Sequence, residues 1–203
     1  EEFFLRFEKR VFIVRDPRDT IVSRLLYNVY DRKEMACSDE LLRRFLDALK
    51  EKENDPDSVS FVQLCKIMKE CGKQDIVAKQ IRLNDFTLEL WQRFEPDFFL
   101  VGYEDFVSGN TVELDEYLGF RVDSGVRIPQ KTRRVARKKK FGDWKNWFLA
   151  EDVDYFKPRF SGFMSKFSYV DDWSPNEEQV IEPEFSSDYV RRLAMEKRAK
   201  VGR

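Results

Sequence analysis

Residues Val11–Tyr30 read VFIVRDPRDTIVSRLLYNVY. Four apolar side chains, Val11, Phe12, Ile13 and Val14, form the short β-branched and aromatic run of a buried strand, and the run stops at Arg15. Asp16 can then cap a helix, Pro17 suits the first helical position, and Asp19 favours the positive end of the helix dipole. Beyond them Ile21, Val22, Leu25, Leu26 and Val29 recur at helical spacing. The stretch predicts a strand, a tight turn and a helix. Arg15 falls at the strand's C-terminal end and Ser23 on the helix, the edge where open parallel sheets bind ligands. Together they suit an anion clamp, a guanidinium with a hydroxyl. They suit equally an Arg paired with Asp16 or Asp19 and a Ser facing solvent.

Outward from this unit the chain reads as helices with a second strand. Phe3, Phe4 and Phe7 lead in at helical spacing. Leu41, Leu42, Phe45, Leu46 and Leu49 mark an amphipathic helix ended by the Asn54–Asp57 turn; Val59 to Met68 mark another, stopped by Gly72. A longer helix runs from Ile76 to Phe94, before Pro96. Phe98–Val101 form a second continuous apolar run, so two strands separated by helices imply a parallel sheet. Leu114–Phe120 give a short helix ending at Gly119. Lys131–Lys140 hold seven bases and no acid, and Asp143 can cap a helix ahead of Trp144. An aromatic helical stretch carries Tyr155, Phe156, Phe160, Phe163 and Phe167. Asp171–Asp188 hold seven acids and no base, the composition of a surface-wrapping loop, and Ser186–Lys200 suit a last helix whose bases complement them. The division expected is one domain over 1–170 and an acidic linker with a C-terminal helix over 171–203.

Composition narrows the classes. The 203 residues suffice for one domain with a core, and a net charge of −1 gives no global attraction to nucleic acid or membrane. Three cysteines without scaffold spacing fit a reducing compartment, and hence the cytoplasm; Cys65 and Cys71 read as buried thiols. No run reaches transmembrane length. The chain has no histidine, which excludes His-based acid–base chemistry within these residues, and no metal site is expected.

Three segments, taken in order, resemble the PAPS-dependent sulfotransferase family. RDPRDTIVS (Arg15–Ser23) is similar to that family's 3′-phosphate motif. LVGYEDF (Leu100–Phe106) with LDEYLGF (Leu114–Phe120) resembles its YED…FLG strand-to-helix unit, and RKKKFGDWKNWF (Arg137–Phe148) its RKGxxGDWKNxF signature. The resemblance implies a P-loop-kinase-like α/β sulfotransferase fold, a parallel sheet flanked by helices. It implies transfer of a sulfuryl group from 3′-phosphoadenosine-5′-phosphosulfate (PAPS) to a hydroxyl or amine of a small-molecule or glycan acceptor, with PAP as product. Arg15 and Ser23 would hold the 3′-phosphate, Arg137 and Lys138 would close on it, Tyr103 would contact the adenine, and Trp144 would anchor the loop by packing. A phosphate with close to two charges needs such cations. Taken alone, Lys131–Lys140 would read as a solvated or nucleic-acid-binding run.

The chain departs from that pattern in places. Lys139 stands where the family has glycine, so it either holds the backbone back or supplies a contact. Leu149, Ala150 and Asp154 replace the Thr, Val and Glu of the family's dimer motif. The stretch after Asp171 has no recognised counterpart. The Lys-containing phosphosulfate loop and the strand with the catalytic histidine would lie upstream of Glu1, which leaves no catalytic residue to name. The alternative is a non-catalytic nucleotide-binding or scaffolding module derived from that fold.

Overall fold

Apolar runs at Val11 and Phe99 pair because each supplies a flat, β-branched or aromatic surface to the other. A computed structural model describes residues 6–123 and 140–202. In it β1 (Val11–Val14) lies parallel to β2 (Phe99–Gly102), with Val11 opposite Phe99 and Val14 opposite Gly102. Phe12 and Val14 pack with Trp91, Phe98, Phe163 and Phe167. The expected burial of the whole run is corrected at Ile13, which stays 60% exposed, and at Leu100, 37% exposed. With two strands in the described sheet, each strand is an edge, and side chains alternate between a packed and an open side.

Helix α1 (Pro17–Asp31) begins as its residues require: the Asp16 carboxylate accepts from the Arg18 amide, and Pro17 occupies the first turn. Between the strands follow α2 (Lys33–Cys37), α3 (Asp39–Asn54), α4 (Phe61–Gly72) and α5 (Ile76–Phe94). Ser38, Ser60 and Asp75 cap the last three, Ser60 reciprocally with Gln63. After β2 come α6 (Tyr103–Ser108) and α7 (Val112–Leu118), which ends at Gly119 with φ 80°. Asp143 does not cap a helix; it opens a 3-10 turn, Asp143–Asn146, with Gly142 ahead of it at φ 76°. Helix α8 (Ala150–Lys166) and, beyond the acidic stretch, α9 (Ser187–Val201) complete the described chain.

The main core joins Ile21 and Leu25 of α1, Phe45 of α3, Phe61 of α4, Trp147, Phe148, and Phe156 and Phe160 of α8. Helix α9 packs on α1, α2 and α3 and adds Val190, Leu193 and Ala194 to that core. Its bases do not simply complement the acidic stretch: Arg191 reaches Asp188 at 3.1 Å, but Arg198 reaches Asp39 at 2.8 Å and Lys200 the Tyr30 hydroxyl at 2.6 Å. Among the described residues the architecture is loosely α/β, with 68% helix beside one small parallel sheet. Cys65 and Cys71 are free and buried, as expected. No described helix is long and apolar enough to cross a membrane.

Candidate functional site

The turn from β1 into α1 is charge-dense, and its charges are sorted by geometry. Arg18, not Arg15, takes Asp16: Nε lies 3.0 Å from both carboxylate oxygens and Nη2 2.7 Å from Oδ2. Both side chains are almost wholly buried, so the pair is a fixed fork rather than a solvated contact. The Arg18 guanidinium also sits 4.2 Å from the Trp144 ring and 4.9 Å from the Trp173 ring, and donates to the Asp172 carbonyl. Two aromatic rings and a carbonyl from distant segments thus converge on one cation.

Arg15 is left to a different role. Its guanidinium lies 4.5 Å from the Tyr103 ring centroid, and its buried Nε has no hydrogen-bond partner. The next residue in the chain, Glu104, accepts from the Asp16 amide at 2.9 Å and from the Tyr169 hydroxyl at 3.0 Å. Burial and then the Glu104 carboxylate push the Tyr169 phenol well above its ordinary value of 10, so it donates throughout the neutral range.

Asp19 closes the site from the other side. Its carboxylate accepts from the Gly142 amide at 2.6 Å and the Trp144 amide at 3.0 Å, across 123 and 125 residues of sequence. The residue is 1% exposed. Burial pushes its carboxyl from 3.8 up to about 6, helped by Asp16, while the two amides and Arg15 pull it down. Ser23, half-buried, lies four residues along α1 and therefore on the same helix face, one turn away. The Gly142–Trp144 turn is thereby held against the first turn of α1.

Among the expected site residues, Arg15 and Tyr103 are in contact, and Ser23 shares the α1 face that Asp19 ties to Gly142. Arg137, Lys138 and Lys139 lie outside the described residues. Trp144 is 1% exposed and packs as expected of an anchor. Sequence reasoning missed Arg18, Glu104 and Tyr169, and took Asp19 for a dipole partner or an ion-pair partner of Arg15, not for an acceptor of distant main-chain amides. Their available signals were an acid in the first turn of α1 and the Glu of YED. A groove of about 400 Å³ runs along β2 between Phe99 and Leu114; Arg15, Ser23 and Tyr103 do not line it.

No protein-family model matches the chain, and no curated protein and no solved structure matches it either.

Proposed function

We propose that the chain is a PAPS-dependent sulfotransferase of P-loop-kinase-like fold, acting on a hydroxyl or amine of a small-molecule or glycan acceptor. The observation that carries this reading is the Asp19 tie. It holds Gly142 and Trp144, in the turn that follows Lys140 and more than a hundred residues away in sequence, on the first turn of α1, one helical turn from Ser23 and near Arg15. The fit to a nucleotide 3′-phosphate rests on Arg15: a guanidinium at the strand edge with a buried, unpartnered Nε is a donor awaiting an acceptor. Asp16 and Asp19, the acids that follow it in the chain, are engaged by Arg18 and by main-chain amides.

In this reading Arg15 and Ser23 hold the 3′-phosphate, Arg137 and Lys138 add charge from the basic stretch, and Lys139 either joins them or spaces the backbone. Tyr103 presents its ring toward the adenine with Arg15 stacked on it. Bound PAPS supplies the activated sulfuryl group; this chain's residues bind and orient it. The non-catalytic module is favoured by one observation, the absence of histidine from all 203 residues.

Calorimetric titration with PAP and with adenosine 5′-phosphate tests the reading. Arg15→Ala should weaken PAP binding by roughly tenfold or more, since charge-assisted contacts contribute about 1.5–3 kcal/mol each. Adenosine 5′-phosphate should change far less, and Ser23→Ala should cost less than Arg15→Ala. Equal affinity of the wild type for the two nucleotides would reject the proposal. PAP binding without sulfuryl transfer to any of a broad acceptor panel would select the non-catalytic module.

A further inference from the structure

Helix α5 turns one side to the core and a second, equally patterned side outward. Ile76, Val77, Gln80, Asn84 and Trp91 are buried, and the Arg24 guanidinium ties Gln80 to α1, its Nε donating to Oε1 at 3.0 Å. On the far side Leu83 is 38% exposed and Phe86 54%, and half-buried Leu90 extends the stripe by one turn. At about 100° per residue these three side chains fall within roughly 60° of one another. Arg82 and Glu89, both exposed and one heptad apart, lie along the same flank of that stripe. Neither has an ion-pair partner among the described residues. We infer that this face of α5 is a self-association surface, on which a second copy of the chain docks its own α5 antiparallel.

Charge selects both the occupant and its direction. A twofold axis through the stripe sets Leu83 of each copy against Phe86 of the other. The same register carries Arg82 of each copy beside Glu89 of the other, so two opposite-charge pairs close one rim. The flank is thus its own complement, cation toward the start of α5 and acid toward its end. A parallel copy would turn that flank to the Thr87 side of the stripe and leave both charges unmatched. Size sets the strength. Helix α5 has 19 residues and spans about 28 Å, so a contact confined to it falls below about 1,200 Å², the class of weak, reversible interfaces. Leu83 and Phe86 supply the burial, and the rim pairs fix orientation more than they add affinity.

Sedimentation velocity on the full chain, from about 5 to about 500 μM at low salt, tests the surface without any ligand. The proteins are wild type, Phe86→Ser, Arg82→Glu and Glu89→Arg. All three substituted side chains are exposed, so each variant should keep the wild-type circular dichroism spectrum. Wild type should associate reversibly to a dimer, and Phe86→Ser should stay monomeric throughout. Arg82→Glu and Glu89→Arg should each weaken the dimer roughly tenfold, because either change makes both rim pairs like-charged. In an equimolar mixture of these two variants, each new charge meets the opposite sign on the other chain, and association should return to near the wild-type value. That rescue belongs to the antiparallel register alone. A wild type that stays monomeric up to about 500 μM overturns the inference. So does a dimer that Phe86→Ser leaves intact, or a mixture that associates no more strongly than its two components.

Discussion

Holding an ionised Asp19 inside the fold has a stability consequence that can be measured without any ligand. Its carboxyl moves from 3.8 to about 6 on folding, so the folded state binds the proton more tightly than the unfolded chain. The Asp19 contribution to stability is therefore fully present below its unfolded value and is lost as pH rises through about 6. At about 1.36 kcal/mol per unit, the total loss is about 3 kcal/mol, of which about 2 kcal/mol falls between roughly pH 4.5 and pH 7.5. Asparagine has the same shape, keeps one acceptor, and does not titrate. Urea unfolding of wild type and Asp19→Asn at several pH values isolates the effect, because every other ionisable group is common to both. The stability difference should move in favour of Asp19→Asn by about 2 kcal/mol across that range, or roughly 1 M in relative midpoint for an m value of ~2 kcal/mol/M. A difference constant to within about 0.5 kcal/mol would show that the two amides hold the carboxylate at its ordinary value, and would refute the burial argument.

Three further perturbations probe how the scaffold holds this site. Asp152, at the start of α8, accepts from the Phe61 and Val62 amides of α4 at 2.9 and 2.8 Å and from the Leu149 amide at 2.8 Å. Asp152→Ala should lower stability by about 3 kcal/mol or more in urea unfolding, because three donors lose one shared acceptor; a loss below ~1 kcal/mol would contradict that. Lys52 is fully buried, with Nζ donating to the Pro56 and Val59 carbonyls at 2.8 and 2.6 Å. Lys52→Met keeps the stem and removes both bonds, so thermal unfolding should report a loss of about 2–4 kcal/mol. Trp173 is 6% exposed, with its ring 5.9 Å from Trp144 and 4.9 Å from Arg18. Trp173→Ala should cost about 3 kcal/mol and speed amide exchange at Asn176, whose N–H donates to the Lys145 carbonyl at 2.9 Å.

The sequence by itself determined what neighbours along the chain decide. Strand β1 and its turn were legible because Val11–Val14 and the D-P dipeptide act within a few residues. Helices α3, α4 and α5 were legible because periodicity and their Ser38, Ser60 and Asp75 caps are local interactions. Cys65 and Cys71 as buried thiols followed from the same apolar pattern. Tertiary structure alone decided which of two arginines three positions apart would be consumed. Arg18 lies two residues from Asp16, within reach of its fork, and meets Trp144 and Trp173, which pattern cannot place beside it. Arg15 is left with an open donor for that reason. The exposure of Ile13 likewise depends on how many strands and layers surround β1, not on its own apolar run. The Asp19 grip joins residues 123 and 125 positions apart, and hydrophobic periodicity carries no information about such a pair. Burying a carboxylate costs free energy unless amides meet it, and only the packing of α1 against the Asp143–Asn146 turn brings those amides to it.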